Sequence, residues 1–132
     1  MSKYNAKKVE IDEINFDSLL ESKYYLYLLE QKKEGAVSYF KIQPRYLLQE
    51  KFKKNGKSFR KIEYVADFEV MHRDGSIEVI DIKGMILPVF AIKQKLFERL
   101  YPDRTLILLT YVSKWGGWVT PDELKRLRKV NK

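Results

Sequence analysis

"EYVADFEV" (residues 63–70) and "EVIDIKG" (residues 78–84) decide how this chain folds. Each has the Val, Ile and Phe content of a β-strand, yet Asp67, Asp81 and Lys83 stand inside them, where an unpaired charge is costly to bury. Alternation places Ile62, Tyr64, Ala66, Phe68 and Val70 on one face and Glu63, Val65, Asp67 and Glu69 on the other. In the second stretch Ile77, Val79, Asp81 and Lys83 share a face, with Asp81 and Lys83 roughly 6 to 7 Å apart at ~3.3 Å per residue. The intervening "HRDG" joins the two arms, about 61–71 and 76–83, into a hairpin. Directly opposed residues of a hairpin share a face, and their numbers have a constant sum. Asp67 therefore faces Asp81 if His72 faces Ser76 across a three-residue loop, Arg73-Asp74-Gly75, with glycine at the position such loops prefer. A two-residue turn would throw the aspartates onto opposite faces unless a bulge restored the phase. The three-residue loop is the expectation.

Two carboxylates facing each other on adjacent strands repel unless a proton or a cation lies between them. A hard divalent ion with oxygen ligands, Mg2+ or Mn2+, resolves the repulsion, and the backbone carbonyl of Ile82 can add a ligand. Lys83 beside such a site can hold or help deprotonate a water and offset charge on a phosphate. Glu21 is a fourth candidate: it lies four residues before Tyr25 and seven before Leu28, so it continues the buried stripe of the first helix. Each of these residues also has a plainer reading. Ser18-x-x-Glu21 is a capping box, in which Glu21 folds back on the helix start. Asp81 and Lys83 fit an ion-pair pattern on a solvent-facing sheet, and Asp67 and Glu69 the wet face of an antiparallel strand. Val65, Ile77 and Val79 share those faces and argue against an entirely wet surface. His72, beside the turn, reads as a surface residue.

Outward from the hairpin, a helix runs from about Ser18 to Lys33, with Asn15, Asp17 or Ser18 as cap and Gly35 as terminator. Tyr24, Tyr25, Leu28 and Leu29 form its predicted buried stripe. "AVSYFKIQ" (36–43) alternates like a strand and stops before Pro44, and "YLLQ" can begin another. Beyond the hairpin, Pro88 sits where a helix can start, and "VFAIKQKLFERLY" has helical spacing through Phe90, Ile92, Leu96 and Leu100. "TLILLTYV" reads as a strand buried on both faces, and "TPDELKRLRK" as a helix capped by Thr120 with Pro121 at its first position. The order is α, three or four strands, α, β, α, which is an α/β fold with helices packed on a mixed sheet.

The 132 residues, 45% hydrophobic and without repeat or linker, fit one domain spanning 1–132. No apolar run approaches the ~20 residues that cross a bilayer, and "MSKYNAKKVEID" lacks the apolar middle of a secretion signal, so a cytosolic protein with no membrane partner is expected. With no cysteine and one histidine, thiol nucleophiles, Cys/His zinc sites and any Ser-His-Asp triad not built on His72 are excluded. Carboxylates and lysines are left to carry any chemistry. A net charge of +8 favours a polyanionic partner. "KFKKNGKSFRK" (51–61) concentrates that charge in Lys51, Lys53, Lys54, Lys57, Arg60 and Lys61 without an acid, and "ELKRLRKVNK" adds a second basic cluster. Its interleaved aromatics and glycine suggest a phosphate-tracking loop, against the plainer reading of a solvated one. "KWGGW" (114–118) and exposed aromatics are candidates for a dimer or DNA-wedge surface, or for ordinary packing.

A helix-borne Glu21, then Asp67, then Asp81-Ile82-Lys83 resembles the PD-(D/E)XK nuclease superfamily of restriction enzymes and Holliday junction resolvases, with Ala66 where the superfamily's name has Pro. "FDSLLESKYYLYLLEQKKEG", "IQPRYLLQ", "YVADFEV" and "EVIDIKG" look more specifically like a family of small phage proteins within it, over essentially the whole chain. The resemblance implies a restriction-endonuclease-like αβββαβ core with a mixed central sheet flanked by helices. It implies that Asp67 and Asp81 ligate Mg2+, that Glu21 helps directly or through water, and that Lys83 assists the attacking water. By position it also implies that Gln43, Lys93 and Lys95 line the site; for Gln43, simple termination of an edge strand before Pro44 is the rival reading. The expected function is metal-dependent endonucleolytic cleavage of DNA, branched DNA above all, by a homodimer in the cytoplasm of an infected bacterium. A non-catalytic nucleic-acid-binding protein on the same fold and an RNA-processing nuclease are the alternatives.

Overall fold

The computed structural model describes residues 8–82, 87–115 and 117–130. In chain order the elements are β1 (Val9–Ile11), β2 (Ile14–Phe16), α1 (Leu19–Lys33), β3 (Val37–Ile42), β4 (Arg45–Gln49), β5 (Phe52–Lys54), β6 (Lys57–Phe59) and β7 (Ile62–Val65). They continue with β8 (Phe68–His72), β9 (Ile77–Ile82), α2 (Pro88–Leu100), β10 (Thr105–Val112), a 3-10 turn at Ser113–Trp115, β11 (Gly117–Val119) and α3 (Pro121–Val130). A five-stranded mixed sheet in the order β11-β10-β9-β8-β3 forms the centre, and only the β9–β10 pair, joined through α2, is parallel.

The central hairpin has the register that the paired aspartates require. Phe68 faces Ile80 and Met71 faces Ile77, residue numbers that add to 148. His72 N–H continues the ladder to the Ser76 carbonyl at 2.9 Å, leaving Arg73-Asp74-Gly75 as the loop. Gly75 has φ +91°, a conformation that a side chain resists. Asp74 braces the loop by accepting from the Ser76 N–H at 2.9 Å and hydroxyl at 2.6 Å. His72 is half-buried, with Nε2 2.5 Å from Glu78 Oε1.

The first arm departs from the expected continuous strand over 61–71, which breaks at Ala66-Asp67 into β7 and β8. The break belongs to a longer object. From Tyr39 opposite Met71 to Ile42 opposite Phe68, and again from Arg45 opposite Val65 to Leu47 opposite Glu63, paired numbers add to 110. Two bonds bridge the gap in the same register: Gln43 N–H to the Asp67 carbonyl at 2.9 Å, and Ala66 N–H to the Pro44 carbonyl at 3.1 Å. After a bulge the sum becomes 111 and holds through β5 and β6 to a two-residue turn, Asn55-Gly56, both with left-handed φ (52° and 73°). Residues 37–72 are thus one long hairpin whose base is part of the central sheet. It bends at Gln43, itself at φ +52°, and at Asp67. The basic stretch expected as a loop is the exposed tip of this ribbon.

The bend shifts the side-chain phase by one residue. Phe68 and Val70 join Ile80, Ile82 and the α1 residues Tyr24, Tyr25 and Leu28 on one face of the sheet. Tyr64 and Ala66, expected beside them, lie on the other face with Tyr46, Val79, Phe90, Phe97 and Leu106. Each fully buried large apolar side chain in these two layers contributes about 1.5–3 kcal/mol. Leu29 is exposed, because the α1 stripe runs through Tyr25 and Leu28 instead. Ile92 and Leu100 are exposed too, since α2 turns Phe90 and Phe97 to the sheet. β10 packs on both faces, as expected, through Ile107 and Leu109 on the α1 side and Leu106 and Leu108 on the other. The β1–β2 hairpin and β11 had no counterpart in the expected order. Trp118 packs edge-on against Tyr24 and Tyr111, with centroids 5.0 and 5.2 Å apart, so this part of "KWGGW" serves packing. Thr120 and Glu123 cap α3 reciprocally. No described helix is long and apolar enough to cross a membrane.

Candidate active site

The bend delivers Asp67 to the end of the sheet on the same side as Asp81. Asp67 accepts the backbone N–H of Ile82 at 2.7 Å through Oδ2, and its carboxyl also hydrogen-bonds the carboxyl of Asp81. Such a bond between two acids requires a shared proton. Burial first, then the Asp81 bond and charge, then the charge of Glu21 raise the Asp67 pKa far above the usual carboxylate range, with the Ile82 N–H opposing. Asp81 is 2% exposed and accepts the hydroxyl of Tyr64, so it does not face solvent. Burial and the Asp81 carboxylate push the Tyr64 phenol up, which keeps it a donor throughout the physiological range.

Glu21 approaches from the first turn of α1. Ser18 Oγ accepts the Glu21 N–H at 3.2 Å, as the capping reading required. The Glu21 carboxyl is raised by burial, then by Asp17, and in smaller part by Asp81, while bonds to the Asp17 backbone and the Ser18 hydroxyl oppose. One residue therefore caps the helix and lies in the field of the aspartate pair. Gln43 is exposed and adjoins Asp67 through its backbone N–H. Lys93 is half-buried and Lys95 exposed on α2. Lys83 lies outside the described residues. The six basic residues Lys51, Lys53, Lys54, Lys57, Arg60 and Lys61 are all exposed along the ribbon. There Phe52 and Phe59 stack at 4.7 Å with an interplanar angle of 10°.

Tyr64 escaped the sequence reading because strict alternation assigned it to the face opposite Asp67. Glu69 escaped as well. Expected on a wet face, it is 3% exposed, and it accepts the Tyr46 hydroxyl at 3.0 Å and the Arg104 guanidinium, with Lys41 Nζ at 3.5 Å. Tyr46 and Tyr64 face each other across the β4–β7 ladder, so one rung of the ribbon supplies the hydroxyl for both buried acids. No local sequence signal links these tyrosines to Glu69 and Asp81, which lie further along the chain; only the bend brings them into contact.

The donor set suits a small hard cation. Mg2+ is usually held by one or two carboxylates, with waters and substrate phosphates completing six ligands. Asp67 and Asp81 are such a pair, and a cation between them would relieve the repulsion that helps raise the Asp67 pKa. Among the described residues no three His, Asp or Glu side chains close into a full metal-holding group. No curated protein and no solved structure matches the chain. Residues 1–117 match one family model, and the chain belongs to the family described as protein of unknown function (DUF1064).

Proposed function

We propose that the protein is a metal-dependent endonuclease of the PD-(D/E)XK type, built on a restriction-endonuclease-like αβββαβ core and acting on DNA, with branched DNA as its substrate class. The observation that carries this reading is the carboxyl pair, Asp67 and Asp81, brought opposite each other by the hairpin register and held by the Ile82 N–H and the Tyr64 hydroxyl. Asp67 and Asp81 would hold Mg2+ or Mn2+, helped by Glu21 and the Ile82 carbonyl. When bound, the ion supplies a water of lowered pKa and neutralises charge on the phosphate.

The protein's own groups prepare that site. The Ile82 N–H and the Tyr64 hydroxyl fix the two carboxylates, so little reorganisation is needed when the shared proton leaves. Lys83, next but one to Asp81 in sequence, would orient the attacking water and offset charge on the phosphate. Gln43, Lys93 and Lys95 are assigned to the rim of the site. Cleavage would leave 5′-phosphate and 3′-hydroxyl ends. The exposed Lys51, Lys53, Lys54, Lys57, Arg60 and Lys61 would track the phosphate backbone along the ribbon. Symmetric cutting of a four-way junction needs two sites, hence a twofold homodimer.

The test incubates wild type and Asp81→Asn with a four-way junction, linear duplex, single strand and RNA, in Mg2+ or EDTA. Wild type is expected to cut the junction only with metal, and Asp81→Asn to bind without cutting. Equal nicking by both proteins removes the site. Salt-sensitive binding without metal-dependent cleavage identifies a non-catalytic binding protein, and cleavage of RNA alone an RNA-processing nuclease.

A further inference from the structure

A cleft of about 310 Å³ opens between the bend of the ribbon and the C-terminal end of α2. Glu69 is its floor, and Lys41, Arg45, Tyr46, Tyr101 and Arg104 wall it. Three cations thus surround one buried carboxylate. Glu69 is already supplied by Tyr46, Arg104 and Lys41, so it needs no further partner. Its bond to Arg104 holds the guanidinium in place, and Arg104 also lies over the Tyr46 ring at 5.7 Å. Tyr101 pins the far wall by donating to the Leu47 carbonyl at 2.9 Å. Arg104 Nε is buried without a hydrogen-bond acceptor among the described residues, its ion pair with Asp103 Oδ2 being 3.7 Å long, so the guanidinium retains donor capacity. The Lys41 and Arg45 side chains, 62% and 67% exposed, stand at the rim, Arg45 with Glu63 Oε1 3.7 Å away, and both face solvent. A pre-shaped cleft with this excess of positive charge is complementary to an oxyanion.

We infer that this cleft binds a phosphate of the nucleic-acid strand, the neighbour of the phosphate received at Asp67 and Asp81. The placement on β8 supports it. Glu69 is two residues from Asp67, roughly 6 to 7 Å along a strand at ~3.3 Å per residue, a step comparable to one nucleotide. The two places are contiguous, because Pro44 lines the cleft while Gln43 bonds the Asp67 carbonyl. The inference rests on the proposed nucleic-acid substrate but not on its cleavage. Lys41 and Arg45 are the rim contacts, and the cleft fixes the register of the strand across the carboxylates.

Binding of a four-way junction and of linear duplex is measured in EDTA over a series of salt concentrations, for wild type, Lys41→Gln, Arg45→Gln and the control Lys32→Gln on α1. Lys41 and Arg45 are exposed, so their variants keep the fold. Each is expected to lower the slope of log K against log salt by about 1, while Lys32→Gln leaves it unchanged. In the cleavage assay Lys41→Gln should raise KM with kcat retained. Unchanged slopes in both cleft variants overturn the inference. If slopes fall although no substrate is ever cut, the nuclease reading fails and the phosphate site stands. A parallel melting series in orthophosphate separates the sources. A rise in wild-type Tm that Lys41→Gln abolishes, with unaltered DNA slopes, identifies a free-phosphate site and overturns the strand assignment.

Discussion

The Asp67–Asp81 pair is where pH acts on the site. The pKa of Asp67 in the folded protein is pushed up to about 9 from an ordinary 3.8, so the folded state keeps a proton that the unfolded chain releases. A raised acid stabilises fully below its unfolded value and loses that contribution as pH rises through the folded one. Melting in EDTA should therefore show Tm falling between about pH 4 and pH 9, and Asp67→Asn, which holds a comparable shape without a titrating proton, should fall less. Added Mg2+ should restore most stability at the high-pH end, where the proton has left. Tyr64 has the complementary role. Tyr64→Phe leaves buried Asp81 without that hydroxyl and should cost about 1–3 kcal/mol in urea denaturation at pH 7, together with a loss of kcat for junction cleavage. The facing of Asp67 and Asp81 was readable from loop length and alternation. Tyr64 was not, because a period of two assigns faces only while a strand stays regular, and Glu69 was not, because its partners Tyr46 and Arg104 come from distant segments.

At the scale of elements, short-range chemistry set what formed and where it ended. Gly75 closes the three-residue loop at φ +91°, and a Cβ there meets no described atom within 4 Å, so Gly75→Ala carries a purely conformational cost. Urea denaturation should register about 1–2 kcal/mol. Ser18→Ala removes the cap that receives the Glu21 N–H and should cost about 1 kcal/mol by the same measurement. Pro88 and Thr120-Pro121 marked the starts of α2 and α3, and those helices begin there. Which α2 residues face the sheet was harder to read: Ile92 and Leu100 fit the helical period, yet Phe90 and Phe97, one heptad apart, carry more apolar area and take the buried side. The Asn55-Gly56 dipeptide is a strong hairpin signal, and its long basic context obscured it.

The whole molecule is organised by one bent hairpin that contributes two strands to the central sheet, covers one face of it with a tyrosine rung, and extends its tip beyond the core. The tip carries Lys53, Lys54 and Lys57 beside the Phe52–Phe59 stack, with Lys57 Nζ 5.4 Å from the Phe59 ring. Replacing these three lysines with glutamine should reduce the salt slope of DNA binding by about three, with an unchanged Tm, measured by fluorescence anisotropy and thermal melting. The sequence by itself determined the mixed α/β architecture, the register of the central hairpin, and with it the facing of Asp67 and Asp81, since loop length, caps and apolar periodicity act over a few residues. Only the tertiary structure decided that Tyr64 meets Asp81, that Glu69 is buried under Arg104, and that a basic stretch is a ribbon tip. Those outcomes follow from the bend at Gln43 and Asp67, where residues more than twenty apart in the chain pair and a single slip of phase exchanges one face of the sheet for the other.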